Sequence, residues 1–120
     1  MVFEISEEEL DKKWKKVKGF FSDKFADGEE VDVESMLYLI GVQELGNGKL
    51  EFEKDEKIEL MHMATCKLLE PFGYFEFSLQ DPDGWDHYEQ VKAMDDLNEK
   101  QQFDLLKKAC VFYFEENVWN

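Results

Sequence analysis

The chain has 120 residues, with 29 aspartates and glutamates against 14 lysines, no arginine, and a formal charge of −15. A surface of that sign repels phosphate backbones and anionic lipid, so neither nucleic acid nor a membrane is an expected partner. Apolar residues reach 43% and aromatics 15%, enough to fill a core, so the charge does not imply disorder.

The length suits a single domain over residues 1–120. The first element announces itself at Ser6, whose partner Glu9 completes a capping-box pattern. Leu10, Trp14, Val17, Phe21 and Phe25 then recur at helical spacing, predicting a helix over 6–26 that ends at Ala26-Asp27-Gly28. Five lysines crowd into residues 12–18 of this helix. Glu8, Glu9 and Asp11 stand one turn before Lys12, Lys13 and Lys15, so the run reads as a solvated face with acid partners. Residues 1–28 carry a net charge of −1 and residues 29–120 a net charge of −14.

Asp32 caps a second helix over 33–45. Met36, Leu37, Leu39, Ile40, Val42 and Leu45 leave it almost no polar side, which predicts burial all round or an oligomer seam. Gly41 in its middle permits close approach of another backbone. After Gly46-Asn47-Gly48, Leu50–Glu53 is briefly extended and a third helix covers 54–69. Its main face is read as Ile58, Met61, Thr65, Leu68, Leu69 and Phe72, with Leu60 and Met63 elsewhere. Phe75, Phe77 and Leu79 then alternate with Tyr74, Glu76 and Ser78, the period of a strand, and Asp81-Pro82-Asp83-Gly84 has turn chemistry. A return strand over 85–90 would make a hairpin. Asn98 caps the last helix, 98–117, with Phe103, Leu106, Cys110, Tyr113 and Phe114 on its core face and Leu105 and Phe112 opposite. The expected fold is mostly α: a compact bundle of about four helices with a small β-hairpin or irregular aromatic segment near 74–90.

Residues that could carry chemistry are few. His62 and Cys66 stand four apart on one helix, and His87 with Cys110 would complete a set suited to zinc. No finger spacing supports it, and small core cysteines explain the thiols as well. Glu59 and His62 make half of a di-iron carboxylate motif whose second half is missing. Asp23, Asp27, Gly28 and Glu34 match part of a calcium loop, but Phe25 occupies a ligand position. The densest candidate is the turn region, where Asp83, Trp85, Asp86, His87 and Tyr88 gather carboxylates, an imidazole and aromatics. A polar turn anchored by Trp85 is the plainer account. No nucleophile elbow, phosphate loop or dinucleotide fingerprint occurs, so the chain reads as leaning away from catalysis, and no cofactor is expected beyond possible zinc.

Residues 35–46, 61–66, 69–74 and 81–87 resemble small uncharacterised bacterial proteins of the Bacteroidetes type. The resemblance implies a bacterial cytoplasmic protein and brings no catalytic residue. Two cysteines are too few for a disulfide scaffold, which also fits the cytoplasm. The function expected first is a non-catalytic protein-interaction or self-associating domain, with a protein partner or homodimer. An acidic inhibitor or immunity-type protein facing a basic partner is the second expectation, and a metal protein or enzyme using His62 and His87 the third.

Overall fold

The computed structural model describes residues 3–25, 28–46, 48 and 51–119. They form four α-helices and one two-stranded antiparallel hairpin, the mostly α fold expected. The chain divides into two compact units, Asp32–Lys92 and the pair of end segments Met1–Val31 and Ala93–Asn120.

In the unit of the two ends, α1 (Glu7–Phe25) packs on α4 (Glu99–Asn117). The Ser6 hydroxyl accepts the Glu9 amide at 3.1 Å, starting α1 where the sequence places it. Leu10, Trp14, Val17 and Phe21 are buried, whereas Phe25, read as the end of the same stripe, is 56% exposed. Asn98 and Gln101 cap α4 reciprocally, at 2.8 and 2.9 Å. Cys110, Tyr113 and Phe114 of α4 are buried as the sequence suggests, joined by Ala109 and Val111, whereas Leu106 is only half-buried. Phe103 is 43% exposed; it meets Trp14 edge-on at 6.2 Å and carries Lys107 over its ring at 5.8 Å. Phe20 and Phe21 each pack edge-to-face on Phe114, at 5.2 and 5.5 Å.

The acid pairs of the lysine run are partly as expected. Lys12–Glu8 and Lys13–Glu9 form at 3.8 and 3.1 Å. Lys13 also pairs with Glu115 of α4, and the two carboxylates raise its pKa. Asp11 turns to Lys107 at 3.4 Å, and Lys16 lies 4.1 Å from the Trp119 ring centre. Part of the run therefore staples the two helices.

In the other unit, Asp32 caps α2 (Val33–Leu45) through the Ser35 amide at 2.8 Å, and Gly46 ends it at φ 63°. Met36, Ile40, Gly41 and Leu45 are buried, but Leu37, Tyr38, Leu39 and Val42 are only half-buried, so α2 is not enclosed on every side. It packs on α3 (Lys54–Leu69) with Gly41 against the Leu60 backbone. A Cβ at position 41 would stand 2.8 Å from the Leu60 carbonyl carbon, so only glycine allows this approach. That contact selects the inward face of α3. Leu60, Met63, Ala64 and Leu68 are buried, while Ile58, placed on the main face by the sequence, is 53% exposed. Leu45, Leu60 and Met63 form a cluster against which Tyr38, Val42, Phe52, Trp85 and Tyr88 pack.

A 3-10 turn, Glu70–Phe72, and Gly73 at φ 86° redirect the chain into β1 (Phe75–Gln80). β2 (Asp86–Gln90) returns in register Phe75↔Gln90, Glu76↔Glu89, Phe77↔Tyr88, Leu79↔His87 and Gln80↔Asp86. The register shifts between Phe77 and Leu79, so Ser78 bulges. The simple alternation of Phe75, Phe77 and Leu79 therefore breaks. Leu79 sits opposite His87 on the outward face and is 52% exposed. Among the described residues no helix is long and apolar enough to cross a membrane.

Candidate functional site

The turn region is held by one side chain. Asp81 Oδ1 accepts the amides of Asp83 and Trp85, both at 3.0 Å, and Oδ2 lies 2.8 Å from His87 Nε2. The backbone closes the loop as well: Gly84 donates to the Asp81 carbonyl at 3.0 Å, and Asp81 donates to the Trp85 carbonyl at 2.9 Å. Gly84 takes φ 92°, the left-handed step that ends a three-residue hairpin loop. The hydrogen bond from His87, then those from the backbone, hold the Asp81 carboxyl below its ordinary range. The Asp-Pro-Asp-Gly pattern signals such a turn, but the return of His87 onto its first residue follows only once the strands pair.

The five candidates therefore do different work. Asp83 is exposed and gives its amide to Asp81. Trp85 packs on the Leu45–Leu60–Met63 cluster. Asp86 accepts from the Gln80 amide group at 3.0 Å. Tyr88 meets Phe77 edge-on at 5.9 Å, and burial, reinforced by Asp86, Glu70 and Glu44, pushes its phenol up. His87, 55% exposed, stands on the outward face with Leu79, Glu76 and Glu89. The strand separates these side chains onto two faces, so they do not converge on one point.

His62 and Cys66 do meet, Nε2 to Sγ at 3.5 Å, with Phe75 edge-on to the imidazole at 6.3 Å. Burial raises the Cys66 thiol to about 11, which favours its protonated form. Burial likewise lifts Cys110 to about 12. The Nε2 of His87 lies against Asp81 Oδ2. Among the described residues no three His, Cys, Asp or Glu side chains come together to hold a metal ion. Asp27, a member of the calcium-loop pattern, lies outside the described residues.

Two further features of the hairpin have no sequence signal. Glu70, seven residues before Phe77, accepts the Phe77 amide at 3.0 Å and so occupies the outer edge of β1. Glu76 and Glu89 are directly opposed, and neither has an ion-pair partner among the described residues. Like charges at such a position are unfavourable.

No family model, curated protein or solved structure matches the chain.

Proposed function

We propose that the chain is a non-catalytic interaction domain that associates with a second copy of itself. The observation supporting this reading is the apolar surface left uncovered on the Asp32–Lys92 unit. Ile58, Phe77, Leu79 and Val91 are 53%, 47%, 52% and 55% exposed. Isolated exposed apolar residues are ordinary, but three of these four lie on or beside one two-stranded hairpin. The geometry of the turn favours the same reading. Asp81 Oδ1 and Oδ2 are engaged in holding the loop, so the candidate residues serve shape. Sedimentation equilibrium of the full chain at micromolar concentration tests the reading. Twice the chain mass supports it, and a strict monomer removes it.

A further inference from the structure

Resting on that reading, we infer that β2 is the dimer contact, pairing antiparallel with β2 of a second copy about a twofold axis at Tyr88. The argument begins with which backbone groups the hairpin leaves open. Val91 donates to the Tyr74 carbonyl and Asp81 to the Trp85 carbonyl, so the odd-numbered residues of the return strand face β1. Asp86, Tyr88 and Gln90 therefore direct their N–H and C=O groups away from it. No further strand lies on that side among the described residues, because the sheet has only two strands. The edge of β1 differs: there Glu70 takes the Phe77 amide. An open row of donors and acceptors is a template for another strand.

The side chains of β2 select what that strand is. Antiparallel pairing about Tyr88 matches Asp86 with Gln90 and sets His87 of each copy opposite Glu89 of the other. The His87–Glu89 pair falls at a position without backbone hydrogen bonds, where facing side chains come closest. In the dimer His87 stands between Asp81 of its own chain and Glu89 of the second copy. Each Glu89, which faces Glu76 in the free chain, then lies against an imidazole of the second copy. Centring the axis on Asp86 instead puts His87 opposite Trp85, and centring it on Gln90 puts Glu89 opposite Val91. Centring it on His87 or on Glu89 sets like side chains opposite each other, so only the Tyr88 axis places His87 against Glu89 and the register is specified. β2 is its own complement.

Two substitutions that change the net charge equally separate this contact from general repulsion. Glu89→Lys and Glu76→Lys each remove the same like-charge pair, but only position 89 lies on the open strand. Sedimentation of the full chain at about pH 6.5, in buffer of about 0.15 M salt, reads the result. The expectation is a dimer for the parent and for Glu76→Lys. Glu89→Lys should be a folded monomer, its association weakened at least tenfold. Should Glu89→Lys fail to fold, Glu89→Gln removes the charge without reversing it and should also weaken the dimer. A parent monomer overturns both this contact and the self-associating reading. A dimer that survives Glu89→Lys, or one lost equally in Glu76→Lys, overturns the β2 contact and leaves self-association through another surface standing.

Discussion

Asp81 is the residue on which most of the hairpin turn depends. One carboxylate accepts from two amides and meets an imidazole, so its loss opens the loop at three points. Asp81→Ala should reduce amide-exchange protection at Trp85 and shift the Trp85 fluorescence towards that of a wetter indole, while α1 and α4 stay intact. The pH dependence has a definite sign. The folded carboxyl lies below its ordinary 3.8, so its contribution is complete above that value and is lost as pH falls through the lower, folded one. Exchange protection at Trp85 should therefore hold at neutral pH and fall away in acid below about 3.8, without a matching loss in Asp81→Ala. The sequence shows Asp81 as an ordinary turn residue. Its reach to His87 depends on the register of β2, which no local pattern states.

At the scale of elements, the helix limits were legible because their caps are. Ser6, Asp32 and Asn98 begin α1, α2 and α4 where their side chains satisfy free amides. Which face of α3 turns inward was not legible. Both candidate faces are apolar, and the choice is made by a backbone contact at Gly41 on another helix. Gly41→Ala tests this. Helix propensity alone favours alanine by about 1 kcal/mol, whereas forcing a methyl against a carbonyl in a packed core costs about 1–3 kcal/mol. The carbonyl is backbone and cannot swing aside, so the clash should win. Urea denaturation should show a net loss of stability, and a gain would mean that α2 and α3 separate more easily than their packing implies. In the hairpin, period-two reading located β1 but not the bulge at Ser78, which moves Leu79 to the opposite face. A bulge adds a residue without leaving a mark in composition.

For the whole molecule, the charge of −15 sets the conditions under which it holds together. The Asp32–Lys92 unit carries fourteen acids and five lysines, the remainder fifteen and nine, so neither half neutralises the other by composition. Self-repulsion acts over roughly 30 Å at 0.01 M salt and about 8 Å at 0.15 M. Raising salt across that range should raise the melting temperature and also strengthen self-association, since two such chains repel. A melting temperature that falls with salt would show that attractive pairs such as Lys13–Glu9 and Lys107–Asp11 outweigh the excess of acid. The abundance of acid was plain in the sequence, whereas the unpartnered pair Glu76 and Glu89 required the strand register.

The carboxylate of Glu70 on the Phe77 amide bears on how far the proposed assembly would proceed. A sheet with two open edges adds copies without limit and grows into a filament; a sheet with one open edge is finished by a single partner. In the twofold pairing inferred above, Glu70 takes one outward amide of β1 and so opposes further strand addition at that edge. Glu70→Ala should open that edge to a repeating contact. Its signature would be light scattering and thioflavin fluorescence that rise with time in the variant and stay flat in the parent.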